Sequence, residues 1–214
     1  MTFPNAFNGV KKLFTSEILA LIAGICTVIA AIGALAIVGG SDAGAILLLI
    51  FGLAALVLAI IGYIMMLIGL KRASHDENRF NQAFIVAIAV LVLSAVSSIF
   101  TSAGVGGGIP SAIMDFVKKV GDVVIAILVI NGVQNLASKL DNDQILKKGN
   151  TLLIILAIVN GLAAITSLIS AFCGGSIASK VGGVFSLISG ILSIVYYILF
   201  IIFLAKSKKM LQEG

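Results

Sequence analysis

The chain has 214 residues, of which 60% are hydrophobic and 11% charged, and its mean hydropathy is +1.22. A soluble domain carries about a quarter charged residues, because its surface must face water. The composition therefore excludes an ordinary soluble domain and predicts an all-α integral membrane protein. The net charge is +5, but the basic residues lie in short gaps between apolar stretches, which favours membrane lipid over nucleic acid as the partner.

Five apolar stretches are each close to the ~20 residues that cross a hydrocarbon core. They cover residues 18–38, 45–70, 83–100, 151–172 and 184–205. A sixth segment, 111–140, is interrupted by Asn131, Gln134 and Asn135. Hydropathy alone leaves open whether this segment spans the membrane or forms a re-entrant or interfacial helix.

The distribution of basic residues favours six spans, because lysine and arginine concentrate on the cytoplasmic side of membrane proteins. With six spans, only Lys118, Lys119 and Lys180 lie on the outer side, whereas with five spans the bias disappears. We therefore predict a multi-pass protein of the cytoplasmic (plasma) membrane with both termini cytoplasmic. Besides Lys11 and Lys12, the inner side carries the predicted topology anchors Lys71, Arg72, Arg79, Lys139, Lys147, Lys148, Lys206, Lys208 and Lys209.

Similar residues recur near the ends of the predicted spans. Leu70, Leu136 and Leu204 are separated by 66 and then 68 residues, and the same two intervals separate Ser16, Gln82 and Asn150. The spacing predicts a single transmembrane domain, 1–214, that forms a six-helix bundle from three helical-hairpin repeats. Their approximate bounds are 14–72, 80–140 and 148–208.

Small residues at a spacing of three and four predict the faces on which the helices pack, because membrane helices approach closely at such residues. In span one the predicted face is Ala20, Gly24, Thr27, Ala31 and Ala34. In span two it is Ala45, Gly52, Ala55, Ala59, Gly62 and Gly69, and in span three it is Ala83, Ala87, Ser94, Ser97 and Thr101. In span five it is Ala157, Asn160, Ala164, Ser167 and Ala171, and in span six it is Gly183, Ser186, Gly190 and Ser193.

Two sets of polar residues stand out in the predicted spans. Asn131 and Asn160 lie in neighbouring antiparallel spans and are expected to form an interhelical hydrogen bond, with a substrate site as the alternative. Four charged residues at the start of span four share one helix face. We interpret them as an external charged face, either simply solvated or available to a partner: Asp115, Lys118, Lys119 and Asp122.

Catalytic chemistry has little support in the sequence. His75 is the only histidine, and its neighbours in "SHDEN" are a poor metal cage without further ligands. We therefore predict no enzyme activity, no cofactor and no metal. The central parts of the spans are also expected to lack ionisable residues, which argues against an ion-driven transporter.

These features favour a non-enzymatic packing, interaction or accessory protein, whose partners are lipid, another membrane protein or a second copy of itself. The alternative is a channel or carrier for a small neutral or lipidic solute. In that case six serines should converge on one cavity: Ser94, Ser97, Ser167, Ser170, Ser189 and Ser193.

The layout of "GAILLLIFGLAALVLAIIGYIMMLIGL", which returns from a short turn and is repeated over three hairpins, resembles the HdeD family of six-helix acid-resistance proteins. The resemblance covers the whole chain as a plan and implies an accessory or stress-related membrane role. The chain departs from that family in lacking tryptophan and in the charged approach to span four.

Overall fold

The computed structural model describes the backbone of residues 2–40, 42–102, 109–172 and 176–213, and the side chains of these residues except 99–115 and 163–187. The described residues form six α-helices and no strand, which confirms the all-α class. The helices are α1 (Pro4–Val38), α2 (Asp42–Ala73), α3 (Asn78–Ser102), α4 (Ile109–Lys139), α5 (Asp143–Phe172) and α6 (Ser176–Glu213).

The helices end where the sequence supplies turn residues. α1 is followed by Gly39 and Gly40, and Gly40 has a φ of +82°, a conformation that glycine adopts without a Cβ clash. Between α4 and α5, Asn142 accepts a hydrogen bond from the backbone N–H of Ile145 (3.1 Å), which caps the start of α5. At most six residues separate consecutive helices, and consecutive helices pack against each other, so they are antiparallel neighbours.

Each helix packs against its neighbours in sequence, and α6 also packs against α1, so the helices form a closed ring. The most extensive contact is between α1 and α2. Most of the buried residues lie where α1, α3 and α5 begin and where α2, α4 and α6 end. We call this the basic end, because the predicted topology anchors lie there. Leu70, Leu136 and Leu204 are all fully buried in its core.

Away from the basic end, the helices expose large apolar side chains. Leu35 is 73% exposed, Ile46 62% and Ile194 62%, which would be unfavourable in water but is normal against lipid. Five helical segments of the described chain are long and apolar enough to cross a membrane: Pro4–Val38, Asp42–Ala73, Asn78–Ser98, Asp143–Leu162 and Ile188–Glu213. α4 is not among them. The protein is therefore a helical membrane protein.

The small-residue face predicted for α1 is wrong. Ala20, Gly24 and Ala31 are exposed, and a Cβ added to Gly24 would have nothing within 4 Å. The face of α1 that is buried instead includes small residues at intervals of seven, Gly9, Ser16, Ala23 and Ala30, and also Gly33. Small residues are so common in this helix that several stripes exist, and only the partner helix selects one.

The small-residue faces predicted for α2 and α3 are correct in part. Gly62 and Gly69 of α2 are buried, as predicted, and a Cβ on Gly69 would lie 2.9 Å from the Gly9 carbonyl oxygen. Ala45 and Ala59, in contrast, are exposed, and a Cβ added to Gly52 would have nothing within 4 Å. In α3, Ala83 and Ala87 are fully buried, which confirms that part of the prediction.

Candidate functional site

A cavity of about 250 Å³ lies between α1, α2, α4 and α6. Its wall is apolar except for two carboxylates and one phenol. The lining residues are Leu13, Glu17, Tyr63, Met66, Asp122, Ile125, Ala126, Val129, Phe200 and Leu204. We call this space the acidic cavity.

The register of α1 against α2 brings Glu17 and Tyr63 to the same cavity. α1 and α2 run antiparallel, and a Cβ on Gly62 would lie 3.4 Å from the carbonyl oxygen of Ser16. Glu17 and Tyr63 each follow one of these contact residues in sequence. The two helices therefore present a carboxylate and a phenol at the same level.

Asp122 reaches the cavity through the packing of α3. The Tyr63 hydroxyl donates a hydrogen bond to the carbonyl oxygen of Ala87 in α3 (2.7 Å). One turn further along α3, Val90 contacts Gly121 of α4, the residue before Asp122. These contacts place Asp122 beside Tyr63.

The position of Asp122 along the helices changes the interpretation of the sequence. Val90 lies seven residues past Ala83, where the apolar stretch of α3 begins, a distance of about 10 Å at 1.5 Å per residue. Asp122 therefore lies beside an apolar part of α3. The charge spacing in the sequence instead predicts Asp122 on the external charged face, at the start of span four.

Glu17 is held by α6. The Tyr197 hydroxyl donates a hydrogen bond to the Glu17 carbonyl oxygen (2.7 Å), and it lies within hydrogen-bonding reach of the Glu17 carboxylate. The neighbouring Tyr196 ring stacks against Phe200, with 6.0 Å between ring centroids. α6 thus fixes the α1 backbone at the level of the carboxylate. The sequence pattern does not single out Glu17, because this residue lies one position before the first apolar stretch, 18–38.

The structure does not join Asn131 to Asn160 by a hydrogen bond. Asn160 donates its side-chain amide to the carbonyl oxygen of Leu156 in its own helix (2.8 Å). The amide contact between α4 and α5 lies nearer the basic end, by one turn on α4 and by almost three turns on α5. There Gln134 donates to the Asn150 side-chain oxygen (2.8 Å) and to the Leu146 carbonyl oxygen (3.0 Å).

The four residues of the predicted external charged face do not all share one environment. Lys119 and Asp122 are exposed and Lys118 is partly exposed, and Asp122 also borders the acidic cavity. The side chain of Asp115 lies outside the described residues.

The segment "SHDEN" between α2 and α3 holds other helices in place. Asp76 accepts hydrogen bonds from the Asn5 side chain (3.1 Å) and from the Ala6 backbone N–H (2.6 Å), at the start of α1. This start has no side-chain cap from its own N-cap residue, Phe3. Asp76 therefore supplies the cap from across the bundle. His75 is exposed.

Glu77 joins the same segment to the end of α4. Its carboxylate accepts hydrogen bonds from Asn135 (3.1 Å) and Lys139 (3.0 Å). Partial burial opposes ionisation of Glu77, but these hydrogen bonds and the charge of Lys139 outweigh it and lower its pKa below 4.5. The salt bridge is at the basic end, where α2, α3 and α4 meet.

Three of the predicted topology anchors also lie over aromatic rings at the basic end. The ammonium groups of Lys71, Lys139 and Lys208 are 5.4, 5.8 and 5.1 Å from the ring centroids of Phe84, Phe3 and Phe14, respectively. Such contacts stabilise a cation by about 0.5–1 kcal/mol at exposed sites. The fold therefore positions these lysine side chains through cation–π contacts, in addition to their hydration.

The serines expected to line a channel do not line the acidic cavity where their side chains are described. Ser193 is exposed and donates to the Ser189 carbonyl oxygen in its own helix (2.8 Å). Ser97 is buried and Ser94 partly buried in α3, which contributes no residue to the cavity wall. The side chains of Ser167 and Ser170 lie outside the described residues.

No protein-family model, curated protein or solved structure matches this chain.

Proposed function

We propose that the protein is a non-enzymatic, multi-pass protein of the cytoplasmic (plasma) membrane that acts by interacting with another membrane protein, a second copy of itself or lipid. One observation carries this proposal. The buried core lies at the basic end, while the apolar flanks of the helices beyond it are uncovered. Membrane helices associate laterally by close packing at small residues, and the uncovered flank of α1 carries Ala20, Gly24 and Ala31.

We propose that α4 also crosses the membrane, which makes six spans with the basic end cytoplasmic. The contacts of α4 along α3 support this. Gly121 lies against Val90, and a Cβ on Gly132 would be 3.0 Å from the Phe80 ring. α4 thus follows α3 for at least eleven residues, into its apolar stretch. The burial of Leu70, Leu136 and Leu204 in one core supports the three-hairpin repeat.

Single cysteines test the six-span topology in a chain whose Cys26 and Cys173 are replaced by alanine. Gly40→Cys, Ser74→Cys and Gln144→Cys are labelled with a membrane-impermeant maleimide in intact and in permeabilised cells. With six spans, Gly40→Cys reacts in intact cells, whereas Ser74→Cys and Gln144→Cys react only after permeabilisation. Labelling of Gln144→Cys on the side of Gly40→Cys would show that α4 does not cross.

A photoreactive residue tests the interaction role. It is placed at Val28, which is 62% exposed on the apolar flank of α1, and at Gln144, which is exposed at the basic end as a control. We expect Val28 to crosslink one defined protein, a second copy of the chain or one lipid species, and Gln144 to give a different product. Only diffuse adducts of bulk lipid from Val28 would contradict the proposal.

A channel or carrier for a small neutral or lipidic solute is the second candidate, and the mostly apolar wall of the acidic cavity favours it. Ala126 lines the cavity, so Ala126→Leu fills part of the space without removing a polar group. If the protein is a carrier, reconstituted wild-type protein mediates solute flux into liposomes and Ala126→Leu reduces it, while circular dichroism shows that the helices are intact. Equal flux with protein-free liposomes would eliminate this candidate.

A further inference from the structure

We propose that a groove between the start of α5 and the end of α6 binds the phosphate group of an anionic phospholipid. The groove lies at the basic end and has a volume of about 270 Å³. Its polar lining includes Asn142, Gln144, Lys206, Lys209 and Glu213, and we call it the basic groove. The inference names the class of lipid for the proposed interaction, and it rests on that proposal for placing the basic end at the membrane surface.

Two lysines from different helices meet beside the basic groove. The ammonium groups of Lys148 in α5 and Lys206 in α6 lie within hydrogen-bonding reach of each other. An ammonium group is a donor only, so two of them repel when nothing lies between them. Among the described residues, neither lysine forms a salt bridge. A phosphate group placed between them would replace this repulsion by charge-assisted hydrogen bonds to both.

The other charges of the basic groove do not cancel this positive pair. Lys209 adds a third ammonium group, and Glu213 is the one carboxylate among the described residues that line the groove. The Lys209–Glu213 distance is 3.7 Å, but both side chains are mostly exposed, so the pair is weak. Three cations against one carboxylate leave the groove positively charged.

Two amides add neutral donors to the basic groove. The side-chain oxygen of Asn142 accepts the Ile145 backbone N–H (3.1 Å), which leaves the Asn142 NH2 group as a donor. Gln144 is exposed and presents a second amide. The volume equals roughly nine water molecules at ~30 Å³ each. The groove therefore has room for a phosphorylated headgroup with hydroxyls, such as glycerol phosphate, but not for a whole lipid.

The position of the two lysines favours a lipid over a soluble phosphate. Lys206 directly follows the apolar stretch 184–205, and Lys148 lies three residues before the stretch 151–172, or about 5 Å at 1.5 Å per residue. The headgroup layer is roughly 5–7 Å thick on each side of the hydrocarbon core. The two ammonium groups are therefore level with the lipid phosphates.

The surface next to Lys206 also suits an acyl chain. Ile202 and Ile198 lie about one and two turns before Lys206, on the same side of α6, and both are exposed. An acyl chain attached to the bound headgroup would lie along these side chains. A soluble phosphate would use the lysines but not the apolar surface.

The test measures binding to the full-length protein in neutral detergent by native mass spectrometry. The probes are phosphatidylglycerol, phosphatidylcholine with the same acyl chains, and glycerol phosphate, which carries the headgroup without the chains. The groove variant is Lys148→Gln/Lys206→Gln. The matched control is Lys11→Gln/Lys147→Gln, which removes the same charge from two exposed lysines that do not line the groove. Circular dichroism establishes that each variant is folded.

We expect phosphatidylglycerol to bind the wild type saturably, with a dissociation constant at least tenfold below that of phosphatidylcholine. A lysine near anionic lipid contributes a factor of roughly five to binding. The dissociation constant for phosphatidylglycerol should therefore rise at least tenfold in the groove variant and less than threefold in the control. Lys206→Gln alone should raise it about fivefold, which keeps the test decisive if the double variant does not fold.

Glycerol phosphate should not displace the lipid. Displacement at equal concentration would show that the groove takes a soluble phosphate and would overturn the assignment to lipid. Equal binding of the two lipids, or equal losses in the groove variant and its control, would also overturn the proposal. A defined crosslink from Val28 together with either of these results would retain the proposed function and reject the groove. Selective lipid binding with only diffuse Val28 adducts would do the reverse.

Discussion

Gly33 of α1 and Gly44 of α2 approach so closely that a Cβ on either would collide with the backbone of the other. A Cβ on Gly33 would lie 2.8 Å from the Gly44 carbonyl oxygen, and one on Gly44 would lie 2.6 Å from the Gly33 carbonyl oxygen. Both residues are buried, far from the core at the basic end. This contact holds α1 and α2 together where most other side chains face outward.

Alanine at these glycines should separate the two helices. Alanine favours a helix over glycine by about 1 kcal/mol, but overpacking against backbone typically costs about 1–3 kcal/mol. We therefore expect Gly33→Ala and Gly44→Ala to lower the midpoint of thermal unfolding in detergent. Gly24→Ala and Gly52→Ala are matched controls, because a Cβ there would have nothing within 4 Å, and they should leave stability unchanged or raise it. The same loss in all four variants would refute a specific contact.

The amide contact between α4 and α5 should appear as energetic coupling. In a double-mutant cycle, Gln134→Ala and Asn150→Ala should be non-additive by about 0.6 kcal/mol, the average for interhelical hydrogen bonds in membranes. Asn131→Ala and Asn160→Ala should be additive, because Asn160 donates within its own helix. Reversible unfolding in mixed micelles measures both cycles. Coupling between Asn131 and Asn160 alone would contradict the observed hydrogen bonds.

Removing the distant cap of α1 should weaken the basic end. Asp76→Ala leaves the Ala6 N–H without its acceptor, and loss of a helix cap costs about 0.5–2 kcal/mol. We expect faster hydrogen exchange at the first turns of α1 and a lower unfolding midpoint. His75→Ala should have neither effect, because its side chain is exposed. If both variants behave alike, the loop has no capping role.

The Glu77 salt bridge predicts a loss of stability in acid. The pKa of Glu77 is lower in the folded protein than its ordinary value of 4.5, so folding favours the ionised form. The resulting stabilisation is complete above pH 4.5 and is lost as the pH falls through the folded pKa. Glu77→Gln should therefore reduce the difference in unfolding midpoint between pH 6 and pH 3.5. Asp143→Asn, with no such salt bridge among the described residues, should keep that difference.

Composition and spacing by themselves indicated that the chain is helical, apolar enough for a membrane and arranged with most of its basic residues at one end. In lipid, a spanning segment must form its backbone hydrogen bonds internally, as a long helix does. Long apolar stretches in the sequence therefore indicate such helices directly. The approximate positions of the six helices followed, because apolar stretches and turn residues alternate along the chain. The role of "SHDEN" did not follow, since Asp76 and Glu77 act on α1 and α4 rather than on their own neighbours.

Only the tertiary structure decided which faces meet. In α1, Gly24 and Gly33 are equally suited to a close contact, and the buried position of Gly33 depends on Gly44 in the next helix. In the same way, Glu17 lies near the edge of an apolar stretch and Asp122 within a charged segment, and neither indicates a cavity alone. Antiparallel register and the Gly121–Val90 contact bring them to the same cavity. Helix rotation and register depend on contacts between distant residues, so no single segment of sequence specifies them.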